Sequence, residues 1–141
     1  MGTWGTGPFD NDTAADWCND LDDAAPAGRA GIVRGTLARV AAGEGYLEAP
    51  EADEAVAAAA LVAAQCPGGE PPEPSYGPEQ PLPDLTGLRP LALEALDRVM
   101  SEPSELLELW AGSDGASWRA GVERMRRTLL PRPPGEQLSL R

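Results

Sequence analysis

"PEADEAVAAAALVAAQC", residues 50–66, is the stretch on which the fold turns. Alanine is the strongest helix former, and a proline is tolerated in a first helical turn, where its missing N–H has no partner to lose. The spacing therefore predicts a helix over about 50–66. Its small side chains let neighbouring helices approach closely, so it is expected at the centre of a bundle rather than on its surface.

Working outward, the same periodicity recurs. Upstream, the turn "GYLEAP" is expected to bury Tyr46 and Leu47. A helix over about 27–42 turns Ile32, Thr36, Leu37 and Val40 inward and is stopped by Gly43 and Gly45. Before it, Asp10, Asn11 and Asp12 supply N-capping oxygens for a helix over about 12–23, whose Ala14, Trp17, Cys18 and Leu21 form one apolar stripe. Downstream, residues 67–84 hold seven prolines, which no regular element survives; they predict a long surface loop, pinned by Tyr76 and Leu82. A fourth helix over about 87–101 turns Leu88, Leu91, Ala95 and Val99 to one face. A short fifth gathers Leu106, Leu107 and Trp110. The last, about 114–130, aligns Trp118, Val122, Met125 and Leu129 before Pro131 ends it. The expected fold is all-α: a single compact bundle of five to six helices over residues 1–130. A glycine-rich N-terminal arm precedes it, and a flexible tail follows over 131–141.

Four segments in this order, "WGTGPFDNDTAADW" (4–17), "GYLEAPEADEAVAAAALVAA" (45–64), "SELLELW" (104–110) and "SWRAGVERM" (117–125), resemble a bacterial family catalogued as domain of unknown function 4259. The resemblance covers about residues 1–130, with the opening segment the most specific. It implies a shared fold, with Trp4, Phe9, Asp12 and Trp17 as the structural core of the opening motif. It carries no activity to transfer.

Composition excludes several chemistries. Leu, Ile, Val and Phe make up only 25 of 141 residues, so the core must lean on 23 alanines and four tryptophans. There is no Lys and no His. That removes Schiff-base and P-loop chemistry, imidazole metal ligation and the usual acid/base near neutral pH. No apolar run is long enough for a membrane span and no basic-then-apolar leader opens the chain, so no membrane partner is expected. Cys18 and Cys66, without a secretory signal, read as reduced thiols of a cytoplasmic protein. With no His to activate them, they read as core packing.

Charge is unevenly spread. Residues 1–117 hold five Arg against 21 Asp and Glu, net −16, whereas 118–141 hold six Arg against two Glu, net +4. The basic last helix is expected to be drawn onto the acidic body. An acidic body repels phosphates, so nucleic acid is not an expected partner.

Each candidate site has to be weighed against packing. Gly2, Gly5 and Gly7 invite a phosphate loop, but no strand precedes them and Asp10 to Asp12 already occupy the helix start. They read instead as joints that let Trp4 and Phe9 pack beside Trp17. The acids from Asp10 to Asp23 lack calcium-loop order, since Ala14 and Leu21 stand where oxygen ligands are needed. Paired carboxylates three apart are the sharper signal: Glu51 with Glu54, Glu94 with Asp97, and Glu105 with Glu108. The all-α nucleotide pyrophosphohydrolases hold Mg²⁺ through such pairs on adjacent helices. On that reading Glu51, Glu54, Glu94 and Asp97 would take the metal, and Arg98 would meet phosphate. Trp110 and Tyr76 are candidates to line a groove. The leading expectation is a non-enzymatic, acidic protein-interaction module for a basic partner, in the manner of small immunity proteins. It needs no cofactor; the Mg²⁺-dependent hydrolase is the alternative.

Overall fold

The computed structural model describes residues 7–8, 11–67, 69, 78, 82–112 and 115–130. Trp4, Phe9 and Tyr76, most of the proline-rich 67–84 segment, and the tail from 131 lie outside the described residues. So do the expectations placed on them.

Among the described residues six α-helices follow one another: α1 Asp12–Asp23, α2 Arg29–Ala42, α3 Ala49–Ala64, α4 Arg89–Val99, α5 Glu105–Leu109 and α6 Ala116–Leu129. Single 3₁₀ turns, Pro26–Gly28 and Thr86–Leu88, lead into α2 and α4. Among the described residues there is no strand, only one isolated parallel bridge between Leu47 and Ser104. The fold is all-α, as expected.

The alanine-rich α3 is the axle. It packs against all five other helices. From Ala55 to Ala63 every one of its residues is buried. A helix that is apolar all round belongs inside, and alanine lets its neighbours close on it from every side. Around it, α2 and α4 pack on each other, as do α4 and α6. The last of these contacts carries the charge attraction expected of the basic helix. Arg126 on α6 bridges Asp97 on α4 at 2.6 Å and Glu123 on its own helix at 3.0 Å.

Local signals set the ends. Asn11 is the N-cap of α1, its Oδ1 accepting from the Ala14 N–H at 2.8 Å. Asp12 is therefore the first helical residue, its acid favourable at the positive end of the helix. Trp17 is buried, and its indole Nε1 donates to the Thr36 hydroxyl of α2 at 3.0 Å. A buried charge that periodicity had not singled out closes the other end. Arg29 donates through Nε to the Leu21 carbonyl at 3.2 Å and through Nη2 to that of Asp22 at 3.1 Å, so it caps the final turn of α1. Arg89 does the same for α6, bonding the Leu129 and Leu130 carbonyls at 3.3 and 2.8 Å.

The two ends of the proline-rich segment are clipped together by one side chain. The Gln65 amide donates to the Pro83 carbonyl at 2.9 Å and accepts from the Leu85 N–H at 2.6 Å. Leu82 packs against the core, as anticipated. Near the other end of the bundle, Gly115 is required by close approach, because a Cβ there would run into the Trp110 carbonyl.

Several inward faces differ from those read by periodicity. Tyr46 is 51% exposed while its neighbour Leu47 is buried. On α2 Thr36, Leu37 and Val40 are buried as expected, but the fourth inward residue is Val33, with Ile32 only half-buried. On α4 the buried set is Ala92, Ala95, Leu96 and Val99; Leu88 and Leu91 lie at its margin. Of the α5 trio only Leu106 is buried, and on α6 Met125 is half-buried.

Candidate functional site

The carboxylate pairs do not form a metal centre. Glu54 on α3 turns to α2 and pairs with Arg39 at 3.7 Å, whereas Asp97 on α4 turns to α6 and Arg126. Glu94 is exposed and Glu51 half-buried. Among the described residues no three Asp, Glu or Cys side chains stand close enough to share a metal ion. The physical reason is that the two helices carrying these pairs spend them on different neighbours. Arg98 is likewise committed: its guanidinium donates to the carbonyls of Gly45, Ser101 and Pro103.

The thiols are inert. Burial, reinforced by the charge of Asp22, pushes the Cys18 thiol up to about 12. Burial also raises Cys66, against a smaller opposing pull from Arg89, and its Sγ donates to the Val62 carbonyl. Neither is a nucleophile at neutral pH. Trp110 is half-buried and stacks on Trp118, with ring centroids 5.9 Å apart and planes 8° from parallel. That contact makes it the outer layer of the core rather than the wall of a groove.

What the structure does bring together lies at the N-terminus of α3. The connection from α2 turns at Gly45, whose φ of +81° is a conformation that favours glycine. It then runs beside the start of α5. The Leu47 N–H donates to the Pro103 carbonyl at 3.1 Å, and the Glu105 N–H donates to the Leu47 carbonyl at 2.8 Å. Ser104, wholly buried between them, caps α5 by accepting from the Leu107 N–H. Arg98 braces both sides of this join through Gly45 and Pro103.

The third carboxylate pair, Glu105 and Glu108, acts here. The N-cap residue of α3, Glu48, makes no side-chain capping bond. Instead Glu105 reaches across from α5, its Oε1 accepting from the Ala49 N–H at 2.8 Å. An orphan donor of one helix is thus satisfied by a carboxylate of another, which also meets the positive end of the α3 dipole. Glu108 accepts from the Tyr46 hydroxyl at 3.1 Å. The phenol is raised above its ordinary range by desolvation, by that hydrogen bond, and by the charges of Glu108, Glu105 and Glu48.

Like charges crowd this end. One turn into α3, the Asp53 carboxyl is pushed up to about 6, first by burial and then by Glu105 and Glu54. Glu54 is raised as well; burial leads, Glu51 and Asp20 of α1 add to it, and Arg39 opposes. Carboxylates from α1, α3 and α5 thus act on one another at this end: Asp20 and Glu51 on Glu54, and Glu105 on Asp53. Sequence spacing had found the carboxylates but not their grouping. Their signal was the exposed-looking pair Glu105 and Glu108 beside a turn rich in acid.

Among the described residues no helix is long and apolar enough to cross a membrane. A family model described as a domain of unknown function (DUF4259) matches residues 2–121. No curated protein and no solved structure matches the chain.

Proposed function

The chain belongs to the DUF4259 family, and from that footing we propose that it is a non-enzymatic interaction module whose acidic face takes a basic protein. The observation that carries this reading is the gathering of carboxylates at the head of α3, where Glu105 and Glu108 of α5 reach the Ala49 N–H and the Tyr46 hydroxyl. There Asp53 and Glu54 are both raised, first by burial and to a smaller extent by carboxylates of their own sign. Arg39 opposes the shift at Glu54, with which it pairs at 3.7 Å, whereas Arg98 is spent on carbonyls. Holding like charges together costs free energy that a cationic partner would recover, and such complementarity speeds encounter. The hydrolase reading has less behind it, since Glu54 and Asp97 pair with different arginines and no three such side chains gather among the described residues.

The reading is tested by capture on the immobilised protein from native lysate, in parallel with a variant carrying Asp20→Asn, Glu48→Gln and Glu51→Gln. Basic proteins should be retained at about 50 mM salt and released near 0.5 M, where charges are screened within a few ångströms. The variant should retain much less. Capture that ignores both salt and the substitutions, or no basic protein at all, would overturn the proposal.

A further inference from the structure

Two large apolar side chains are left in water at the acidic end. Tyr46 is 51% exposed and Leu109 is 64% exposed. The Tyr46 hydroxyl is held at 3.1 Å by Glu108, the residue that precedes Leu109 in α5. Leu109 also stands four residues after Glu105, on the same side of α5 that reaches toward the head of α3. Around the ring, Glu48, Glu105 and Glu108 are close enough for each charge to act on the phenol. An open aromatic face inside a collar of carboxylates suits a cationic side chain, which gains from both the ring quadrupole and the charges. A neighbouring leucine suits an apolar side chain one helical turn away.

We infer that Tyr46 and Leu109, ringed by Glu48, Glu105 and Glu108, form the docking surface for a basic amphipathic helix of another protein. The inference rests on the charge reading above and names the place where it acts. A basic residue of the incoming helix lies over the Tyr46 ring, and an apolar residue one turn along covers Leu109. Other occupants are disfavoured by the same charges. A second copy of this chain would bring one acidic collar against another, and an acidic or neutral peptide would leave the carboxylates uncompensated. The surface is also pre-organised. Tyr46 is fixed by its hydroxyl, and the join beneath it is held by the Leu47–Ser104 pairing and by Arg98, so little ordering is needed on binding.

The probe is a fluorescently labelled 14-residue Leu/Lys peptide of amphipathic pattern, followed by anisotropy at low salt. Its controls are a scrambled isomer of equal charge and a Leu/Ser peptide of equal pattern. Three double variants are compared after their melting temperatures confirm folding. Tyr46→Ala with Leu109→Ser keeps every charge. Glu48→Gln with Glu108→Gln removes two charges from the collar. Asp12→Asn with Asp16→Asn removes two exposed charges from α1, outside it. The expected result is preference for the amphipathic Leu/Lys peptide over both controls, weakened at least tenfold by each of the first two variants and less than threefold by the third. The paired glutamine variant keeps the test intact should the apolar pair fail to fold. Equal weakening by both charge variants, with no effect of Tyr46→Ala and Leu109→Ser, would overturn the docking surface while leaving the general charge reading standing. If neither cationic peptide binds at low salt, both readings are overturned.

Discussion

The two ends of α3 do opposite work in one helix of sixteen residues. From Ala55 onward the helix is enclosed by its neighbours and carries no ionisable group. In its first turns Asp53 faces Glu105 from α5, Glu54 faces Asp20 from α1, and burial raises both carboxyls. The enclosed end is stabilised by close packing. The acidic end is stabilised by directed hydrogen bonds, Glu105 to Ala49 above all, against a background of repulsion. Stability and chemistry are thereby separated along a single element. Substitutions at one end should change how much the protein unfolds, and at the other end how that depends on pH and charge.

The largest effect is expected at the enclosed end. Leu61 is 1% exposed, and Leu61→Ala should cost about 2–5 kcal/mol, seen as a fall in denaturant midpoint with an unchanged slope. The complementary change, Ala58→Leu at a wholly buried position, should cost about 1–3 kcal/mol by overpacking. A tolerated Ala58→Leu would mean that the helices around α3 are not as close as alanine permits, and would break the axle description.

This end was the legible one. A run of alanines between a first-turn proline and a cysteine states its own helical character, and α1 was read with the bounds it has, Asp12–Asp23, because Asn11 is a capping residue followed by a clean stripe. The face of α4 is legible at Ala95 and Val99, which are buried as expected, but not at Leu88 and Leu91, which lie at its margin. That helix is packed by α2, α3 and α6 together, and the close approach selects Ala92 and Leu96 rather than the best amphipathic stripe. The join at the acidic end was not legible at all. It is made by backbone groups of Leu47, Pro103 and Glu105, brought together from distant parts of the chain, and backbone pairing leaves no side-chain signature. Tyr46 was misplaced for a related reason: an aromatic beside a leucine looks buried until a distant Glu108 gives its hydroxyl a partner in water. Arg29, a buried charge, could have been anticipated only by asking which cation closes the C-terminus of α1.

An intermediate effect belongs to the bond across the join. Glu105→Ala leaves the Ala49 N–H without its acceptor and should cost about 1 kcal/mol, the usual value of a lost helix cap. Glu105→Gln keeps an acceptor oxygen but removes the charge that Asp53 faces. It should therefore be closer to wild type in stability than the alanine variant. If the two variants fall equally, the carboxylate contributes through charge alone, and the cap is not what docks α5.

The smallest effect has a sign that most acidic groups do not show. A carboxylate held by cations is depressed, and its protein loses stability on acidification; Asp53 is raised, from 3.8 to about 6, by burial and by Glu105 and Glu54. The folded carboxyl thus holds its proton up to about pH 6, whereas the unfolded one releases it near 3.8. Between those values the folded state binds more protons, so this group's contribution to stability falls as pH rises through the window and is recovered on acidification. Asp53→Asn removes the titration. At pH 7 it should raise stability by less than about 1 kcal/mol once solvent screening of a half-buried group is allowed for, and near pH 4 it should match the wild type. The measurement is the melting temperature of both proteins from pH 4 to 7. The difference between them should open only above pH 4 and level off past 6. A gap that is constant across the range would show that the Asp53→Asn side chain packs differently without titration being involved, and the contrast between the two ends of α3 would then be one of shape rather than charge.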